Sequence, residues 1–242
     1  MPLTLQIRRT LAAALAGAAL SVVPPSVLAQ APMSSQQVEK GATAQAFAAA
    51  QRDFAQFALH QMNRKGVSLS DFPLQLNSMQ ELKDAKVSYG FAVHTVDPAE
   101  LLAGRTTMRA MAKQMNQWRF VISVNDRAIG LATVEKIKGR YETVAYSGAV
   151  LAKDIDIAAK QFGNRDKSNL RLLRIYQARS DFLLVESDDG RGRFAPLHSA
   201  RESLSMAPSI NMMGKPVSKL LDETELIEPL RAVVKLNMAA PL

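Results

Sequence analysis

The chain has no cysteine among its 242 residues. This absence excludes thiol nucleophiles, cysteine-ligated zinc, iron–sulfur clusters and an amino-terminal lipid anchor on cysteine. It also excludes disulfides, which stabilise many exported proteins. The folded chain must therefore be held together by packing and hydrogen bonding.

Histidine is scarce as well, with three copies, and no catalytic motif of recognisable spacing is present. The HExxH pattern of zinc peptidases is missing, as are the GxSxG and SxxK settings of nucleophilic serines. The glycine and acid spacings of nucleotide-binding and calcium-binding loops do not occur either. We therefore expect no bound metal and no cofactor.

The first 29 residues have the pattern of a signal peptide. Arg8 and Arg9 are followed by an apolar run over residues 11–23 and by small residues that end at Ala29. The run is short of the roughly 20 residues that span a membrane, and Pro24 interrupts a helix there. We predict cleavage after Ala29, a periplasmic or secreted location and no transmembrane segment in the mature chain, with the export route left open.

The charge balance is moderately basic, with 30 Lys and Arg against 22 Asp and Glu and a net charge of +8. Such an excess serves solubility, and it also permits weak contact with an anionic membrane or cell-wall surface. Nucleic acid is a poor expectation for an exported protein. We therefore expect no nucleic-acid partner.

Residues 118–205 have the pattern of an antiparallel sheet with one helix. Apolar residues alternate from Trp118 onward, and turn sequences at Asn125-Asp126 and Lys138-Gly139 separate three consecutive strands. A helical pattern over residues 149–162 and two or three more strands follow. The prediction is an α+β fold, a mainly antiparallel sheet of five or six strands with one helix packed on a face.

The remaining segments are interpreted around that sheet. Residues 30–117 are predicted as a helical lead region with one strand, including a helix that stops near Gly66. A short helix is predicted to start at Asp97 and Pro98. Another is predicted from the spacing of Met108, Met111 and Met115, which we assign to core packing. Residues 206–242 are predicted as a peripheral tail.

Two residue pairs could carry acid–base chemistry. His198 and Glu202 are four residues apart and would share a helix face, which equally suits a structural ion pair. Glu135 and Glu142 flank a hairpin and could approach each other across it, as the two carboxylates of a hydrolase do. Both pairs are weak catalytic candidates.

The stronger candidate is a basic and aromatic surface near the end of the sheet. Its members are Arg171, Arg174, Tyr176, Arg179 and Arg193. Basic and aromatic side chains suit an anionic polymer, through charge and stacking. Alternation along a strand places positions 171 and 174 on opposite faces, so a single patch is not assured.

These features favour an exported, non-enzymatic binding or adaptor module with an unknown protein or small-molecule partner in the envelope. One alternative is a hydrolase of envelope polymers that uses one of the two residue pairs. The other is weak association with an anionic surface. The fold alone cannot choose between them, since small sheets of this kind serve all three purposes.

Overall fold

A computed structural model describes the protein over residues 35–104, 107–187, 191–207 and 219–239. These residues belong to one compact unit, Ser34–Leu242. The predicted boundaries at 117/118 and 205/206 fall inside that unit. The predicted signal peptide, residues 1–29, lies outside the described residues.

Seven strands form one mixed sheet in the order β4-β3-β2-β1-β5-β6-β7. Their bounds are β1 Lys86–Val96, β2 Ala112–Val124, β3 Arg127–Ile137, β4 Arg140–Ser147, β5 Leu170–Ile175, β6 Ser180–Glu186 and β7 Gly192–Pro196. Neighbours are antiparallel except for β1 and β5, which are parallel. The α+β class is confirmed, whereas the predicted count of five or six strands was too low.

The difference arises at the centre of the sheet. β1 is the one strand predicted within the lead region, yet it lies inside the sheet, between β2 and β5. Because β5 follows a helix that crosses one face, it returns beside β1 in the parallel direction. The mixed character of the sheet comes from this one crossover.

The described residues contain six α-helices and one 3-10 helix, the latter at Met79–Lys83. The α-helices are α1 Ser35–Asn63, α2 Pro98–Leu102, α3 Met108–Met111, α4 Ala149–Phe162, α5 His198–Ser203 and α6 Glu223–Ala239. At α2, the side chain of Asp97 accepts a hydrogen bond from the backbone N–H of Ala99, and proline occupies the first helical position. This start was expected from the sequence, because both features favour a helix amino terminus.

α1 covers one face of strands β1 to β4. Its apolar face, which includes Phe47 and Phe54, packs against a cluster of buried strand residues. Phe57 stacks on Tyr146 of β4 with ring centroids 4.2 Å apart. The predicted helix is therefore confirmed, and Gly66 beyond it has a φ of 73°, as expected for a stop.

α4 covers the opposite face. Its buried side chains pack against Phe91, Val121 and Leu131. Helices thus lie on both faces: α4 is the helix predicted on one face, and α1, from the predicted helical lead region, covers the other.

α6 lies on the same face as α1 but over the other half of the sheet. Ala92 packs in the α1 cluster and Val96 in the α6 cluster, and even spacing along β1 places both on one face. Four residues of α6 are buried: Leu226, Ile227, Leu230 and Val234. We expected a peripheral tail here. However, α1 does not extend over β6 and β7, and α6 buries the apolar side chains of these strands instead.

The predicted methionine-lined helix is much shorter than expected. α3 ends at Met111, and the next residue, Ala112, already begins β2 and pairs with Val96. Met108 and Met111 are fully buried, as the assignment to core packing predicted. A single helical turn is enough to place Met108 and Met111 on the same side. From Ala112 to Met115 the chain is a strand, because it belongs to β2 and β2 pairs with β1.

Candidate functional site

The parallel pairing between β1 and β5 covers only two residue pairs, Val93 with Leu172 and His94 with Leu173. The earlier part of β1 pairs with β2 alone. A cavity of about 600 Å³ opens at this gap, which we call the seam cavity. Its walls come from α1, from the first half of β1, and from the loop before β5.

Aromatic side chains line the seam cavity from both faces of the sheet. Phe47 of α1 and Phe120 of β2 contact each other at 5.5 Å between ring centroids on the α1 face. Tyr89 and Phe91 form an edge-on pair at 5.9 Å, and Phe91 packs in the cluster beneath α4. Residues whose side chains lie on both faces of the sheet therefore contribute to the wall of the cavity.

Charged side chains complete the wall in equal numbers of each sign. The basic members are Lys40, Lys167 and Arg171, and the acidic members are Glu39, Asp166 and Glu186. Arg171 forms an ion pair with Glu186 at 3.5 Å. Hydrogen bonds from Ser168 lower the pKa of the exposed Asp166 carboxyl.

His94 lies beside the cavity, at the last position of β1 that pairs with β5, and is only 4% exposed. Its Nδ1 is 3.3 Å from the carbonyl oxygen of Ala92, and its Nε2 is 3.6 Å from Oε1 of Glu39. Burial lowers the pKa of His94, and the charge of Arg171 lowers it further, against the opposite effect of Glu39. The imidazole is therefore neutral at pH 7 and lies next to the Glu39 carboxylate of α1.

Gly90 also lines the cavity, and its lack of a side chain is required there. A Cβ at this position would lie 2.2 Å from the carbonyl oxygen of Arg119. A glycine inside a strand is a sequence signal for such a close approach. This signal and the polar His94 within an apolar strand could have directed attention to β1, which sequence reasoning treated only as a lead element.

The two predicted acid–base pairs lie elsewhere. His198 and Glu202 form an ion pair at 3.1 Å on the surface of α5, with side chains 50% and 69% exposed. Glu135 and Glu142 are direct partners across β3 and β4. None of the four lines the seam cavity, and their catalytic role stays a prediction.

The structure separates the predicted binding residues. Arg174 lies over the ring of Tyr176 at 5.3 Å on the α4 face, whereas Arg171 reaches the seam cavity from the α1 face. Arg179 occupies the turn between β5 and β6, with a φ of 52°, and Arg193 is exposed on β7. Alternation along β5 is the reason for the separation.

In the described part of the chain, no three His, Asp or Glu side chains are placed to hold a metal ion. None of the described helices is both long enough and apolar enough to cross a membrane. No family model, no curated protein and no solved structure matches this chain.

Proposed function

We propose that this protein is an exported binding module of the periplasm or the secreted fraction, and that it binds a small amphipathic ligand in the seam cavity. The observation that carries the proposal is the early end of β1–β5 pairing, beside which lies a cavity of about 600 Å³. That volume is in the range of small-molecule sites, about 300 to 1,000 Å³. The amino-terminal residue pattern supports export.

The chemistry of the wall suits a ligand with an apolar body and a polar end. Phe47, Phe91 and Phe120 provide aromatic surface for the body. Three basic and three acidic side chains balance one another around the polar end. A zwitterionic or uncharged ligand fits this balance better than a strongly charged one, because burying an unpaired charge is costly.

The α1 wall of the cavity is fixed before any ligand arrives. The Trp118 indole N–H donates to Oγ1 of Thr43 at 3.1 Å, and Thr43 lines the cavity. Farther along α1, the Asp53 carboxylate accepts from the backbone N–H of Thr143 at 2.8 Å. A preformed wall avoids much of the entropy cost of ordering a site on binding.

The test uses the full chain, expressed with its own amino terminus and purified from the native envelope under mild conditions. Small molecules bound to the wild type are compared by mass spectrometry with those bound to Ala44→Phe, which places a ring in the cavity wall. Ala48→Phe is the matched control, because Ala48 is exposed one turn farther along the same helix and does not line the cavity.

We expect a molecule that copurifies with the wild type and with Ala48→Phe and is lost from Ala44→Phe. Equal loading of all three proteins would place the ligand elsewhere and contradict the proposal. An empty wild-type protein from its native envelope would contradict it as well.

A further inference from the structure

The Nε of Arg119, in β2, lies below the surface and has no hydrogen-bond partner among the described residues. No carboxylate in the described ranges forms a salt bridge with it. Burial lowers the pKa of the Arg119 guanidinium, and the charge of Arg174 lowers it further, against weaker opposing effects of Asp181 and Tyr176.

Arg174 of β5, the neighbouring cation, is itself poorly satisfied. Its Nη1 is 3.7 Å from Oδ1 of Asp181, a distance too long for a hydrogen bond. Its Nε–H has no acceptor within the described part of the protein. Arg174 therefore interacts with Asp181 through charge alone.

Asp181 cannot neutralise both arginines. Its side chain is 6% exposed, and its Oδ2 accepts a hydrogen bond from Ser199 at 2.9 Å. Its Oδ1, which faces Arg174, receives no hydrogen bond from a described residue. The group of two guanidinium ions and one carboxylate thus carries one positive charge in excess.

An unpaired charge in a partly desolvated place is unfavourable, and proteins normally supply a partner for it. Guanidinium groups bind carboxylates with paired, charge-assisted hydrogen bonds. One excess charge matches one monoanion. A carboxylate between Arg119 and Arg174 would supply the acceptors that both side chains lack.

We propose that Arg119 and Arg174 form a binding site for a carboxylate group on the face of the sheet that carries α4. The site goes beyond the proposed function, because neither arginine lines the seam cavity. Arg174 is 29% exposed, which leaves a path from solvent. Tyr176, 41% exposed beside Arg174, borders the site and offers a ring face to the ligand.

The experiment measures the thermal unfolding of the full chain by the fluorescence of Trp118, the single tryptophan. The probes are sodium butyrate, the neutral butyramide and sodium chloride at equal ionic strength. Trialanine with a free carboxyl terminus, compared with its amide, distinguishes a peptide source of the carboxylate from a small acid.

For the wild type, we expect butyrate at 100 mM to raise the unfolding temperature by about 2 °C or more, since a ligand that binds only the folded state stabilises it. Butyramide and chloride should not do so. The rise should be lost in Arg119→Gln and in Arg174→Gln, and reduced in Arg119→Lys, which keeps the charge without the planar fork. The control, Arg64→Gln, removes the same charge from an exposed position and should keep the butyrate-induced rise in unfolding temperature.

The proposal is overturned if butyrate and chloride act alike, or if Arg119→Gln retains the full shift. Each variant is compared with its own transition without acid, so a change in basal stability does not enter the comparison. The copurification test of the seam cavity does not depend on the butyrate result and is measured separately. Failure of this site and failure of the proposed function are therefore distinguishable.

Discussion

Gly90 provides a sharp test of how β1 is packed at the centre of the sheet. It pairs with Phe120 of β2 in the antiparallel ladder. A Cβ on residue 90 would lie 2.2 Å from the carbonyl oxygen of Arg119 and 2.4 Å from Cδ1 of Phe120. Both distances are far inside normal contact for heavy atoms.

The expected cost of Gly90→Ala follows from the atoms that would have to move. The carbonyl of Arg119 belongs to a strand that pairs with β1 on one side and β3 on the other, so a shift disturbs two ladders. Overpacking in a rigid interior costs about 1 to 3 kcal/mol. Because the clash here is with backbone, we expect about 3 kcal/mol, or a fall of about 6 to 12 °C in unfolding temperature.

The assay is urea unfolding followed by Trp118 fluorescence, with the free energy of unfolding obtained by linear extrapolation. Gly41→Ala is the matched control, because Gly41 lies in α1 and its added Cβ would meet no atom within 4 Å. Alanine should stabilise the helix there by about 0.5 to 1 kcal/mol. A Gly90→Ala protein within about 1 kcal/mol of the wild type would refute this account of the β1–β2 approach, by the scale of typical overpacking costs.

Three further predictions test the rest of the structure. Thr43→Val should cost about 1 to 2 kcal/mol of unfolding free energy, since it leaves the buried Trp118 N–H without its acceptor; an unchanged urea midpoint would contradict it. The lowered pKa of His94 means that the unfolded chain takes up the proton first as pH falls. The free energy of unfolding should therefore decrease below about pH 6.5, by at most about 1.4 kcal/mol per pH unit from this group. His94→Gln should make the free energy of unfolding less dependent on pH between about pH 7.5 and 5.5. Equal pH slopes in the wild type and the variant would exclude His94 as the source of the effect. Leu230→Ala in α6 should cost about 3 kcal/mol because the residue is fully buried, whereas the exposed Leu236→Ala should be nearly neutral, and similar values would argue against α6 as part of the core.

Local chemistry explains why several elements could be predicted from the sequence. Asn125 and Asp126 adopt φ values of 47° and 61°, and Lys138 and Gly139 adopt 49° and 86°. Asn125, Asp126 and Gly139 are residue types that tolerate the left-handed region, so each pair contains the chemistry of a tight hairpin turn. The start of α2 at Asp97 is specified in the same way, by residues that are adjacent in the sequence.

The candidate site could not be predicted in this way. The seam cavity exists because β1 and β5, which are far apart in the chain, pair over only two residues. The surroundings of Arg119 depend on which side chains other strands bring to it. Periodicity reports the face on which a residue lies and not its neighbours across the sheet.

The sequence by itself determined the turns, most helix positions and the α+β class, because these depend on residues close in the chain. Only the tertiary structure decided that β1 lies at the centre of seven strands and that α6 completes the core. It alone opened the seam cavity and placed Arg119 and Arg174 on the same face of the sheet. Long-range strand pairing and burial are the physical reasons, since each is a property of the assembled sheet.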